Sequence, residues 1–295
     1  MLSILIPTYH YHTLPLVEEL VQQCELCAIP FEIIVQDDAP NSTCATTNNA
    51  INKIAHCSYH INRVNLGRGA NINSMSEKAQ YPWLLILDCD TFPASNNFIK
   101  NYIAFIKEEK GTIAFGGIAY KEEVPQKEAM LRWVYGQKRE ALSLAIRKQH
   151  PNQNALTSNL LIAKDIFIKT PFTSTITQYG YEDLVLLYEL EQQNNIVTHL
   201  DNNCYHLNLE TSEAFIAKTK LALENLKKLH HEHPEMVKHS KIVRLYTLVQ
   251  RWYLLPLLRF AFDLTHKSTL ANLRSAKPSL RLFDWYKIGY FSSIQ

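Results

Sequence analysis

At 295 residues, 46% hydrophobic and 20% charged, the chain suits one large domain or a domain with an appendage, and its composition excludes disordered and fibrous classes. A formal net charge of +2 is too balanced to argue for nucleic-acid binding. Six cysteines without a dense framework, one of them Cys89 between two aspartates, imply reduced thiols; with no positive n-region in the opening Met1-Leu2-Ser3-Ile4, a cytoplasmic location is expected.

Residues 2–6 form a short apolar strand ended by Pro7 and followed by Thr8, Tyr9 and His10. Thr13 is expected to cap a helix whose apolar side carries Leu14, Val17, Leu20, Val21 and Cys24. Cys24 and Cys27 are three apart on that helix, a spacing that without a second pair points to packing. A buried strand at 31–35 runs into Asp37-Asp38 and the turn residues Ala39-Pro40-Asn41-Ser42. Strand, helix, strand at this spacing is a βαβ unit with a parallel sheet. A polar helical stretch at 42–55 precedes a third strand at 58–62. Asn65-Leu66-Gly67-Arg68-Gly69 then opens a helix, carrying Asn71, Ile72 and Asn73, that runs toward Ala79. A glycine-bearing loop at a helix N-terminus offers free N–H groups and a positive dipole end, which suits a phosphate. Arg68 adds a charge able to meet a diphosphate, although a solvent-facing loop arginine is the commoner case.

Trp83-Leu84-Leu85-Ile86-Leu87 is a continuous apolar run with the length of a strand buried on both faces. It ends in Asp88-Cys89-Asp90, with Pro93 stopping further pairing. In an open α/β sheet, ligands bind at such carboxyl ends. Residues i and i+2 of a strand share a face, so Asp88 and Asp90 would lean toward one hard cation, Mg2+ or Mn2+, or toward a phosphate bridged by it. Taken alone, an Asp-x-Asp is more often a turn cap.

A helix near 97–107 follows, then a strand at 112–119 whose Gly116-Gly117 lets something approach its backbone. The segment 121–149 is charged, carries Arg132, Lys138 and Arg139, and is helical from about Glu128. A strand at 156–163 and a short helix from Lys164 come next. Gln178-Tyr179-Gly180-Tyr181-Glu182-Asp183 leads into a helix with Glu182 and Asp183 in its first turn, where the dipole favours anions; capping alone would explain them. Beyond a strand at 196–200, His206 is either structural or the completion of a metal shell begun by the two acids. A helix at 211–233 ends in His230, His231 and His233, whose spacing, with His239, suits a solvated helix end better than zinc. Residues 242–264 interleave Leu245, Leu248, Trp252, Leu254, Leu255 and Phe260 with Arg244, Arg251 and Arg259. The charges break the run of roughly 18 apolar residues that a spanning helix needs. The segment is a core-packing helix pair, the favoured reading, or a basic amphipathic element resting on a membrane. No internal repeat occurs.

Five motifs in order, Ser3-Ile4-Leu5-Ile6-Pro7-Thr8-Tyr9, Glu32-Ile33-Ile34-Val35-Gln36-Asp37-Asp38, Asn65-x-Gly67 with Asn73, Asp88-Cys89-Asp90 and Gly180-Tyr181-Glu182-Asp183, resemble the family 2 glycosyltransferases over about residues 1–215. The resemblance implies an α/β fold of the GT-A type, a Rossmann-like mixed sheet flanked by helices. Residues 1–215 would be the nucleotide-sugar-binding and catalytic domain, and 216–295 a helical extension packed on it or peripheral to a membrane. By the same resemblance, Pro7, Thr8 and Tyr9 line the nucleoside pocket, and Asp38, with Asp37 beside it, bonds the base or ribose. Asn65, Gly67, Arg68, Asn73 and Asp88 serve the nucleotide. Asp88 and Asp90 are metal-binding acids with Asp90 the direct ligand, His206 is a further metal ligand, Asp183 is the catalytic base, and Glu182 is its acceptor-side partner. The family often has Arg immediately before the Asn of that helix; here the residue is Ile72, and Arg68 is the candidate substitute.

The implied reaction is inverting transfer of a hexosyl or N-acetylhexosaminyl group from a nucleoside-diphosphate sugar, UDP-linked, to a hydroxyl of a glycan or lipid-linked acceptor. It would be assisted by Mn2+ or Mg2+ and would serve cell-surface polysaccharide synthesis at the inner face of the membrane. A sugar-nucleotide-binding protein without turnover is the alternative. A nucleotidyltransferase would place a glycine-rich, Lys-containing loop where Pro7-Thr8-Tyr9-His10 stands, and an Asp-x-Asp phosphatase would place a small β-branched residue at Phe92.

Overall fold

The computed structural model describes residues 1–173 and 180–294. Gln178 and Tyr179 of the motif before Glu182 lie outside the described residues. Two compact units account for the described chain: residues 1–119, 141–173 and 186–208 in the first, and 120–140, 180–185 and 209–294 in the second.

All ten strands among the described residues belong to the first unit: β1 (Leu2–Thr8), β2 (Phe31–Asp37), β3 (Cys57–Ile61), β4 (Trp83–Leu87), β5 (Thr91–Pro93), β6 (Ile113–Phe115), β7 (Ile118–Ala119), β8 (Asn159–Ala163), β9 (Thr198–His199) and β10 (Cys204–His206). Seven of them form a sheet in the order β3-β2-β1-β4-β8-β6-β9, and β5-β10-β7 form a second, smaller sheet. Every residue of β1 and β8 is buried, and β4 is buried from Leu84 to Leu87. Strands covered on both faces need no polar alternation, which is why they appear in the sequence as mainly apolar runs, unbroken in β4.

β1 runs parallel to both β2 and β4, in register Thr8 with Asp37 and Leu5 with Ile86. The chain winds outward from β1 through β2 to β3, then crosses to β4 on the other side. In open α/β sheets ligands bind at such a reversal, here beyond the carboxyl ends of β1 and β4. β8 is antiparallel to β4 and β6, with Asn159 opposite Leu87, so the sheet is mixed and the amino end of β8 arrives at the same rim.

The strand expected over 112–119 is two strands in two sheets, divided at Gly116 and Gly117. What approaches these glycines is the chain itself: a Cβ on Gly116 would stand 2.3 Å from the Asn202 carbonyl oxygen, and Gly117 has φ +102°. Pro93 does not stop pairing either; it ends β5, an edge strand, opposite Cys204. Thr13 stands at the N-cap of helix Leu14–Leu26 but makes no capping bond with its hydroxyl; its amide donates to Asn48 Oδ1 at 3.0 Å.

Arg147 is buried where the strand changes sheets. Its guanidinium donates to the carbonyls of Leu142 (3.2 Å), Phe115 (3.3 Å), Gly116 (3.4 Å) and Leu200 (3.0 Å). Nη1 also lies 3.3 Å from His199 Nδ1. Arginine cannot accept, so Nδ1 accepts and Nε2 carries the hydrogen, donating to the Pro151 carbonyl at 2.8 Å.

The second unit is helical. Met130–Tyr135, Ser212–Glu232, Lys241–Arg251, Leu255–Leu273 and Leu280–Ser293 surround a core that includes Leu131, Ile216, Phe262, Leu273, Phe283 and Tyr286. Thr211 caps the second of these helices, its hydroxyl accepting from the Ala214 amide at 3.2 Å. The expected inward packing of Leu245, Leu248, Trp252, Leu254 and Phe260 does not occur, because all five are exposed. Their helices pack through Val243, Tyr246, Phe262 and Leu273 instead. No helix among the described residues is long and apolar enough to cross a membrane.

Two predictions follow from the packing at Arg147. Arg147→Met leaves several buried carbonyls without a donor, and the unfolding free energy should drop by about 3 kcal/mol or more, read from the urea midpoint at unchanged m-value. Burial, reinforced by Arg147 and Lys148, holds the His199 pKa below its ordinary 6.5, and burial with Lys227 and His231 does the same to His230. The folded state therefore binds these protons less tightly than the unfolded chain does. The stability they contribute is present above about pH 6.5 and lost as pH falls below it. Urea midpoints measured between about pH 7 and pH 5 should decline, and His199→Gln should make that decline shallower.

Candidate active site

The rim of the seven-stranded sheet collects the polar residues of the first unit. Pro7 and Thr8 are buried at the end of β1, with the Thr8 hydroxyl donating to the Ile6 carbonyl at 3.2 Å, whereas Tyr9 is 57% exposed and meets His10 edge-on. Asp37 ends β2, fully buried. It accepts from the Tyr59 hydroxyl at 2.9 Å and from the Ala39 amide at 3.1 Å. Burial, with Asp37 second, pushes the Tyr59 hydroxyl up to about 12, so it stays a donor.

Asp38 is the anchor of the following loop. Its carboxylate accepts from Asn62 Nδ2, the Leu66 amide and the Gly67 amide, each at 2.8 Å. Asn65 Oδ1 accepts the same Gly67 amide at 2.9 Å, and Gly67 has φ +81° as the helix Arg68–Lys78 begins. Asn62 extends the network to Asn71 Oδ1 at 2.8 Å, and Asn71 donates to the Gln36 carbonyl at 2.9 Å. Asn73 points elsewhere: it bridges both backbone groups of Phe172, at 2.8 and 3.0 Å. Gly69 is needed at this contact, because a Cβ there would stand 2.9 Å from Phe172 Cβ.

Arg68 occupies the first position of its helix, where the dipole disfavours a cation. Asp88 supplies the compensation, its Oδ1 accepting from Arg68 Nη2 at 2.6 Å and Nε at 3.0 Å; Arg68 Nη1 donates to Thr157 Oγ1 at 2.8 Å. The Arg68 guanidinium also lies 5.9 Å from the Phe172 ring centroid. Ile72, one turn on, is fully buried in the core, so Arg68 is the arginine this helix brings to the rim.

Asp88 and Asp90 are not strand residues. β4 ends at Leu87, and 88–91 is a turn closed by the Thr91 amide and hydroxyl on the Asp88 carbonyl, at 3.0 and 2.8 Å. The face-sharing expected of i and i+2 on a strand therefore does not govern them: Asp88 meets Arg68, and Asp90 Oδ2 lies 3.5 Å from His206 Nε2. The small sheet makes the second contact, since His206 is opposite Thr91 and the Leu207 amide donates to the Asp90 carbonyl at 2.8 Å. Cys89, between the acids, has its thiol pushed up by burial and then by Asp90 and Asp88, and Tyr11 has its hydroxyl raised by burial and then by Asp90 and Cys89.

Asp90 and His206 alone would offer a divalent cation two ligands, since Asp88 is engaged by Arg68. Two ligands at right angles on an ion with bonds of about 2.1 Å stand about 3 Å apart, close to the Asp90–His206 separation. No three His, Cys, Asp or Glu among the described residues are grouped to hold a cation by themselves, so a shared ion would draw its remaining ligands from water and phosphate oxygens.

Glu182 and Asp183 belong to the second unit, in the first turn of the helix Glu182–Gln192. Glu182 Oε2 accepts the Gly180 amide at 2.8 Å, and the Gly180 carbonyl accepts from Asn225 Nδ2 at 2.6 Å. Gly180 (φ +105°) and Tyr181 (φ +68°) are consecutive left-handed residues. A Cβ on Gly180 would meet Ala222 Cβ at 2.5 Å, which fixes glycine there. Helix Ser212–Glu232 thus fixes the approach to Asp183. Asn62, Tyr59, Tyr11 and Thr157 carry no motif; only Asn62, just past β3, and Thr157, just before β8, are singled out by their places at strand ends.

A family model described as Glycosyl transferase family 2 matches residues 3–170. Among solved structures, the mannosyltransferase PcManGT from Pyrobaculum calidifontis, in complex with GDP-Man and Mn2+, aligns at 13% identity over 99% of this chain and 84% of that one, with a TM-score of 0.57. S. aureus TarS aligns at 17% identity over 98% of this chain and 54% of that one, TM-score 0.50. TarS 1-349 in complex with UDP-GlcNAc aligns at 15% identity over 98% and 89%, TM-score 0.49. The first two show the fold, which is of the GT-A type. No curated protein is detectably similar to the chain in sequence.

The Arg68–Asp88 pair should be measurable by a double-mutant cycle. Arg68→Ala, Asp88→Ala and the double variant are expected to give a coupling of about 1 kcal/mol in urea unfolding. Solvent screening of two side chains that are 21% and 28% exposed keeps it below a fully buried pair.

Proposed function

The chain belongs to glycosyl transferase family 2, and from that membership we infer how this glycosyltransferase handles its nucleotide-sugar donor and its acceptor. We read it as an inverting enzyme, with the donor UDP-linked and the acceptor a hydroxyl of a glycan or of a lipid-linked glycan, in cell-surface polysaccharide synthesis. The observation that carries the reading is the pairing at the end of β4: one guanidinium on Asp88 and one carboxylate–imidazole pair at Asp90, two residues apart. A diphosphate needs two centres of positive charge, and this rim offers Arg68 for one and a cation held by Asp90 and His206 for the other. Asp88, in this reading, serves the metal site and the nucleotide by presenting Arg68.

Pro7, Thr8 and Tyr9 line the nucleoside pocket, with the exposed Tyr9 ring available to a base. Asp37 and Asp38 border that pocket, and Asp38 holds the loop whose Gly67 and Asn65 lie beside the phosphates. Asn73 keeps Phe172 against Gly69 and so steadies Arg68. The bound cation would act as Lewis acid toward the departing diphosphate. Asp183 takes the proton from the acceptor hydroxyl, whose oxygen attacks the anomeric carbon on the face opposite the leaving group, with Glu182 shaping the turn that carries Asp183. A single base suffices for inversion, and no carboxylate nucleophile is required. We assign donor binding and catalysis to residues 1–215, with 216–295 as a helical extension. Six free thiols support a reducing, cytoplasmic setting.

Asp90→Ala and His206→Ala should each abolish the Mn2+-dependent part of the thermal shift that UDP produces, and with it transfer from a panel of sugar nucleotides. Asp183→Asn should keep the shift and lower turnover by roughly a hundredfold to ten-thousandfold. Full turnover in Asp183→Asn would overturn the base assignment, and an unchanged Mn2+ effect in both other variants would overturn the metal assignment.

A further inference from the structure

The helices Lys241–Arg251 and Leu255–Leu273 turn apolar residues away from the second unit. Leu245, Leu248 and Trp252 follow at intervals of three and four, and Leu257, Phe260 and Leu264 repeat the spacing on the next helix, so each helix carries one outward stripe. Tyr253 and Leu254 form the corner between them, Tyr253 in the left-handed region at φ +57°. All eight side chains are exposed, Trp252 to 68%, Leu264 to 70% and Tyr253 to 90%. The inward faces of the same helices are filled by Val243, Tyr246, Phe262, Thr269 and Leu273. Exposed apolar side chains repeated in this way on two consecutive helices mark an interaction site.

Charge identifies the occupant. Lys241, Arg244, Arg251 and Lys267 are exposed along the two helices, and Arg259, also exposed, turns its Nε to the Ser292 carbonyl at 2.6 Å, against Asp263 as the one acid between residues 241 and 267. Lys241 stands four residues before Leu245 and Lys267 three after Leu264, so a cation closes the outer end of each stripe. A second copy of this chain would set like charges against like. An anionic lipid leaflet meets both demands, with acyl chains for Leu and Phe, the interfacial layer for Trp252 and Tyr253, and phosphates for Lys and Arg reaching outward on their long stems. With no spanning helix among the described residues, the contact is a surface one.

We propose that the corner formed by residues 241–267 docks this protein on anionic membrane through the Leu245–Trp252 and Leu257–Leu264 stripes. The proposal is independent of the donor and of turnover. The full chain should co-sediment with vesicles of phosphatidylcholine mixed with phosphatidylglycerol at least about tenfold more strongly than with phosphatidylcholine alone, and added salt should weaken the binding. Trp252→Ser/Leu257→Ser/Phe260→Ser should lose binding to both vesicles while keeping the circular dichroism and melting temperature of the parent. Arg244→Gln/Arg251→Gln/Lys267→Gln should lose the anionic preference with the apolar stripes intact. Equal or absent binding to the two vesicle types would overturn the proposal. So would a dimer in sedimentation equilibrium without lipid that the apolar triple variant dissociates.

Discussion

Charge balance at the end of β4 is the constraint on which the rest of the first unit depends. A strand with no exposed residue from Leu84 to Leu87 delivers Asp88 and Asp90 to a rim flanked by packed strands. Two anions that close require partners of their own, and these must come from other parts of the chain. Arg68 comes from the helix after β3 and His206 from the small sheet. Two otherwise odd features follow. An arginine begins a helix, against the dipole, because its partner is an aspartate rather than solvent. A three-stranded sheet of very short strands exists beside a large one because β10 must lie against β5 to set His206 beside Asp90.

How much of this was legible in the sequence depends on the length of the signal. β1, β2 and β4 were legible because strands buried on both faces are mainly apolar runs, and the acids closing two of them mark the rim. The helices Arg68–Lys78, Glu182–Gln192 and Ser212–Glu232 were legible from caps and period. β5 and β10 were not, because three residues are too few for a periodicity of two to show. Thr157 escaped notice for a topological reason: β8 runs antiparallel to β4, so the amino end of β8 reaches the rim, while a parallel sheet directs attention to carboxyl ends only. Asn73 reaching Phe172 is 99 residues of separation that no local pattern carries.

The C-terminal helices illustrate a different limit. Spacing at three and four shows that Leu245, Leu248 and Trp252 share a face, but it does not say whether that face points inward. The same helix carries Val243 and Tyr246 on the buried side, so two apolar stripes compete and only packing decides between them. Arginines among the outward leucines were the sequence-level sign that this face has a wet and an apolar neighbour at once.

The loop from Asn65 to Gly69 brings these points together. Asp38 fixes it with two hydrogen bonds and holds Asn62 beside it with a third, Gly67 supplies a left-handed residue, and Gly69 admits Phe172 at a distance no side chain would tolerate. Ordering entropy is therefore settled on folding rather than on ligand binding, which favours affinity for whatever the loop receives. The Arg68–Asp88 pair keeps the complementary property. Both side chains retain partial exposure, so their attraction is screened and modest. A rigid backbone carrying a weakly committed guanidinium suits an incoming polyanion: the frame does not move, and only a partner already softened by solvent has to share its charge.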